Sequence, residues 1–171
     1  MTQNDFIKKS KKIAIYSCKK ANRFLTKLGL SLHINWEYDD WEYNDLSSAI
    51  GVYESGSVFE KDISIGFNFD NLFKSFNDEV SMFPNSNVDT ILSEIIQTNV
   101  YHEMGHGIIE QIDDYLTETD ELDDIYDQNS ELFDYVLDNE EEAVESFAWD
   151  FYDGLLKENE LYEVIKLVYN I

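Results

Sequence analysis

His102-Glu103-Met104-Gly105-His106 lies inside a long stretch in which Ile91, Leu92, Ile95, Ile96, Val100, Ile108, Ile109 and Ile112 recur at helical spacing. Apolar residues three and four apart specify an α-helix, and residues four apart on a helix share one face. His102 and His106 therefore point the same way, one turn apart. Two neutral imidazoles so placed supply two corners of a tetrahedral zinc site. The glutamate beside the first stands where a general base is needed for metal-assisted hydrolysis. The stretch predicts a core helix with His102 and His106 as zinc ligands and Glu103 as catalytic base, and Asp89 is its expected N-cap. Gly105 and Gly107 each cost about 1 kcal/mol relative to alanine inside a helix. They predict either close packing against the missing side chains or a helix that ends after His106.

A third protein ligand is required, and its position sorts the possibilities. A metzincin carries Gly and His three and six residues after its second motif histidine, where this chain has Ile109 and Ile112, so that class is excluded. The remaining histidine, His33, falls on the opposite face of an alternating strand from Leu30, Leu32, Ile34 and Trp36, and reads as a surface residue. The ligand then falls to a carboxylate. The best run is Glu140-Glu141-Glu142, which opens a second helix after Asp138 or Asn139, with Ala143, Phe147 and Leu155 on its buried face. Acidic first turns are ordinary partners of the helix dipole, so the run alone selects no ligand.

The pair HEMGH and, further on, EEEAVESFAWDF resembles the ImmA/IrrE-like metallopeptidases, gluzincin-type zinc enzymes with an HExGH helix and a later Glu-Ala-x-x-x-Phe-Ala helix. The resemblance implies a zincin-like fold and zinc-dependent peptide hydrolysis. It makes Glu142, followed by Ala143, Phe147 and Ala148, the third ligand, with Glu141 and Glu145 as rivals. By analogy it also suggests a DNA-binding repressor as target. The chain departs from the pattern in three places. Tyr152-Asp153-Gly154-Leu155 replaces the proline that often follows the Glu helix, no helix-turn-helix accompanies the peptidase-like part, and Ser146 stands where larger gluzincins place an aspartate. A carboxylate orienting a ligand histidine is unassigned, with Glu145 and Asp150 as candidates.

Composition bounds the rest. The 171 residues suit one domain, and 43% apolar content with many aromatics excludes a disordered chain. No run reaches the length of a membrane span, and the cluster from Lys8 to Lys12 precedes an apolar stretch broken by Lys19 and Lys20, unlike a signal peptide. The single cysteine, Cys18, fits a reducing cytoplasm. The net charge is −24, yet eight of the twelve basic residues precede residue 28. They lie on an expected amphipathic helix over residues 3–28 with Phe6, Ile7, Ala14, Cys18, Ala21, Leu25 and Leu28 inward, ending at Gly29. The acidic body repels nucleic acid and predicts a basic protein or peptide substrate.

Leu30 to Trp36, Ala49 to Tyr53 and Asp62 to Phe69 alternate as strands, with a turn near Ser55 and Gly56. They predict a small, mainly antiparallel sheet, its third strand an edge that aligns extended substrate. Asp113 to Glu142 holds many carboxylates and no Lys or Arg. Interleaved Leu122, Ile125, Tyr126, Leu132, Phe133 and Val136 read as amphipathic helices between the two ligand helices. A closing helix is expected over 161–171. The expected fold is α+β and zincin-like. The expected function is a zinc metalloendopeptidase whose oxyanion-stabilising residue is open among Tyr115, Tyr126, Tyr135 and Tyr152. The alternative is an acidic, nucleic-acid-mimicking binding protein on the same scaffold, phage or mobile-element encoded.

Overall fold

The computed structural model describes residues 1–36, 51–54 and 62–171. Its order is α1 (Gln3–Leu25), β1 (Ser31–Asn35), β2 (Gly51–Glu54), β3 (Asp62–Phe67), α2 (Phe69–Met82), α3 (Val88–Glu118), α4 (Asp123–Asp138), α5 (Glu140–Asp153) and α6 (Glu160–Tyr169). The fold is α+β and mostly helical. No helix among the described residues is long and apolar enough to cross a membrane.

The hub is α3. Its apolar residues occupy more than one stripe, so it is buried on several sides, with Leu92, Ile96, Val100, Met104, Ile108 and Ile112 all in the core. Asn87 caps it, Oδ1 accepting from the backbone N–H of Asp89 at 2.8 Å and of Thr90 at 3.3 Å. The helix therefore starts just before Asp89, the expected cap. It continues unbroken through Gly105 and Gly107 to Glu118, which places the histidine motif in mid-helix.

α1 packs on α3 through a stripe at helical spacing, Phe6, Ser10, Ala14, Ser17, Ala21 and Leu25. A short 3-10 turn over Thr26–Leu28 follows, and Gly29 at φ 73° reverses the chain into β1. The basic face of α1 is used structurally. Lys20 Nζ donates to the carbonyls of Phe151 and Tyr152 at 3.1 and 3.4 Å, at the negative end of α5, and lies over the rings of Tyr101 and Phe151.

The sheet departs from expectation. Its order is β1-β3-β2, with β1 parallel to β3 (Leu32 opposite Ile63, Ile34 opposite Ile65) and β2 antiparallel to β3. It is mixed rather than mainly antiparallel, and the parallel pair is the longer. β3 is the strand with Ile63, Ile65 and Phe67 all buried. Such an apolar strand gains most from the centre, so β1 lies across it rather than forming a hairpin with β2. The expectation of β3 as an aligning edge is likewise overturned, since both its sides are paired. The turn near Ser55 and Gly56, with Ala49 and Ile50, lies outside the described residues.

The carboxylate-rich run folds as anticipated from its interleaved apolar residues. α4 buries Phe133 and Val136 and bends at Asn129 (φ −132°, ψ 23°), whose side chain donates to the Ile125 carbonyl at 2.8 Å. α6 closes the fold from the buried Asn159, which caps Tyr162 N and donates to Ser146 Oγ at 3.2 Å and Asp150 Oδ2 at 2.9 Å on α5.

α5 runs antiparallel to α3, Val144 beside Gly105 and Phe151 against Tyr101 with ring centroids 4.7 Å apart. A Cβ at Gly105 would stand 3.0 and 3.3 Å from the two methyls of the fully buried Val144, and 3.5 Å from Phe147. The glycine thus permits a close helix approach. Gly105→Ala is expected to destabilise the fold by about 1–2 kcal/mol, the overlap exceeding the helix propensity gained. In a Val144→Ala background the same change should be neutral or stabilising. Denaturant unfolding of the four proteins measures this coupling, and additive effects would contradict the close approach.

Candidate metal centre

The arrangement of α3 and α5 decides what faces the motif. His102 and His106 are mostly buried, their side chains 22% and 16% exposed. Their rings meet edge-on with centroids 4.7 Å apart, and their Nε2 atoms lie 3.1 Å from each other. Glu141 reaches in from the first turn of α5, Oε2 standing 3.7 Å from His102 Nε2 and Oε1 3.4 Å from His106 Nε2. His102, His106 and Glu141 form a group that could hold a metal ion. With bonds of 2.0–2.1 Å to a tetrahedral zinc, neighbouring ligand atoms sit roughly 3.3 Å apart; the two Nε2 atoms are near that spacing, and Glu141 presents one oxygen toward each of them. Glu141 is 82% exposed, so this corner opens to solvent.

The other face of each imidazole also meets α5. Glu140 Oε1 lies 2.5 Å from His106 Nδ1. Glu145 Oε2 lies 3.3 Å from His102 Nδ1, off the direction of a good hydrogen bond, so that nitrogen has a charged neighbour without a formal acceptor. A carboxylate at Nδ1 favours the tautomer with its proton there and leaves the Nε2 lone pair free. Trp149 Nε1 donates to Glu145 Oε1 at 2.9 Å and steadies that carboxylate.

Glu103 is 6% exposed. Burial pushes its carboxyl up to about 7, with His106 pulling it down and Glu141 raising it further. The same burial lowers the His102 pKa, with His106 adding to the effect and Glu141 and Glu145 opposing it, which favours the neutral ring a metal requires. Met104, Gly105 and Ile108 beneath the motif are buried, so the histidines stand on a rigid floor.

Glu142 is not brought to the histidines. One residue beyond Glu141, it is turned by about 100° around α5; it is exposed beside Tyr135, whose hydroxyl pKa its charge raises. Glu141 and Glu145, four apart, face His102 instead, and Trp149 continues their stripe along α5. Asp150 is occupied with Asn159. Of the candidate tyrosines, Tyr115 and Tyr126 donate to Glu121 and Asp134 at 2.5 and 2.6 Å, and Tyr152 lies near Glu94. Glu140, unassigned from sequence, is the new member of the centre. Its position beside the helix start was visible, but its direction was not.

No family model matches this chain, and comparisons with curated proteins and solved structures return no match. In a zinc titration, Glu141→Ala should lower affinity by at least about tenfold while Glu142→Ala leaves it near that of the parent chain. The reverse order would restore Glu142 as the ligand.

Proposed function

We propose that this chain is a zinc-dependent metallopeptidase, with His102, His106 and Glu141 as ligands and Glu103 as general base. The observation that carries the reading is the convergence of both Nε2 atoms of α3 and the Glu141 carboxylate of α5, 3.1 to 3.7 Å from one another. Two histidines and one glutamate are a donor set used by catalytic zinc, which keeps a fourth position open. When bound, zinc supplies Lewis acidity toward a carbonyl oxygen and lowers the pKa of a water molecule.

The chain's own residues supply the proton transfers. Glu103 accepts a proton from the attacking water as its oxygen bonds to the carbonyl carbon. It delivers that proton to the amine nitrogen as the C–N bond breaks, so the carboxylate is regenerated. Burial raises the Glu103 carboxyl, and a bound dication beside it would lower it, so both the base form and its conjugate acid are accessible in the cycle. Glu140, hydrogen-bonded to His106 Nδ1, holds that imidazole against rotation, and Glu145 places a negative charge beside His102 Nδ1.

The net charge of −24 favours a basic protein or peptide as substrate, and the resemblance to ImmA/IrrE-like enzymes is consistent with a DNA-binding repressor as target. Glu103→Gln should retain zinc and lose peptide hydrolysis by on the order of a hundredfold or more. Zinc content and turnover measured on the same preparation check this. Unchanged turnover would remove Glu103 from the mechanism.

A further inference from the structure

From Glu145 the stripe on α5 continues to Trp149, which forms one wall of a groove of about 400 Å³. Its other walls are α3, through Ile95 and Thr98, and the C-terminal end of α2, through Phe83. Phe83 is 55% and Trp149 43% exposed, and the neighbouring Met82 is 63% exposed. Two carboxylates line the same groove, Glu79 and Glu94. Both are half-buried, and among the described residues neither is in an ion pair with a cation.

The groove is aligned with the candidate metal centre. Ile91, Ile95, Thr98 and His102 recur at three and four residues and so share one face of α3. Trp149 is tied to Glu145, which lies against His102. At 1.5 Å per residue, the floor from Thr98 to Ile91 lies roughly 6–17 Å along the helix from His102. An extended peptide advances about 3.3 Å per residue, so the groove holds side chains about two to five residues from a bond placed at the histidines.

We infer that this groove is a specificity subsite for a protein substrate that presents a bulky apolar side chain next to a lysine or arginine. This rests on the peptidase reading for the position of the cut, whereas recognition by the groove does not. Phe83, Ile95 and Trp149 bury the apolar side chain. The cation meets Glu79 and Glu94 in a partly desolvated place, where charge complementarity has most effect on selection. Within the acidic body, these two carboxylates are set in an apolar groove leading to the metal-binding face, which turns general attraction for cations into a local sequence preference.

The test uses zinc-loaded Glu103→Gln protein and labelled Gly/Ser-rich peptides differing only in a central Phe-Lys, Phe-Glu or Ala-Ala pair, with binding read by fluorescence anisotropy. Phe-Lys should bind about tenfold tighter than either alternative. Phe83→Ala should weaken it. Glu79→Lys with Glu94→Lys should shift the preference to Phe-Glu, an inversion that misfolding cannot produce. Equal affinities, or a preference untouched by these substitutions, would overturn the subsite. The parent chain is then incubated with the same peptides. Cleavage without the preference defeats the subsite alone, whereas the preference without cleavage defeats the peptidase reading and leaves the groove as a peptide-binding site.

Discussion

The close approach of α3 and α5 at Gly105 is the constraint on which the rest depends. The Val144 methyls crowd the place a Cβ on residue 105 would take, and this close approach lets the first turn of α5 overhang the motif histidines. A wider helix pair would draw Glu141 away from both Nε2 atoms at once. Phe147 and Phe151, buried one and two turns further along the same helix, fix its rotation against Tyr101. Core packing in this protein thus sets the geometry of the polar site above it, because close-packed interiors transmit displacement rather than absorb it.

The same packing explains a division of labour among five acidic residues of α5. Glu140, Glu141 and Glu145 face the histidines, Glu142 faces Tyr135, and Asp150 serves the α6 cap. Adjacent residues differ by about 100° of rotation, so neighbours in one run of glutamates receive different tasks. At the opposite end of α5, Lys20 of α1 closes its carbonyl terminus. The face around His102 and Glu141 carries no cation partner among the described residues and stays negative.

Periodicity made the helices legible. The apolar spacing from Ile91 to Ile112 gave α3, and Phe6 to Leu25 gave α1 with its glycine stop. The histidine pair was readable because an i, i+4 spacing determines shared direction on any helix. The glutamate partner was not readable to the residue, since a one-position change in helical phase exchanges Glu141 for Glu142, and that phase is set by Val144 meeting Gly105 across space. The sheet was misjudged for a related reason. Strand alternation shows which residues point inward, but the order β1-β3-β2 depends on non-local pairing, which local sequence leaves open. The groove beside Trp149 brings together residues from three helices and had no local signature.

X-ray absorption at the zinc edge of the reconstituted protein addresses the central claim most directly. Two imidazole nitrogens with oxygen ligands in a four-coordinate shell at about 2.0–2.1 Å is the result that α3 and α5 dictate. A shell of oxygens alone, or one containing a single imidazole, would contradict the account.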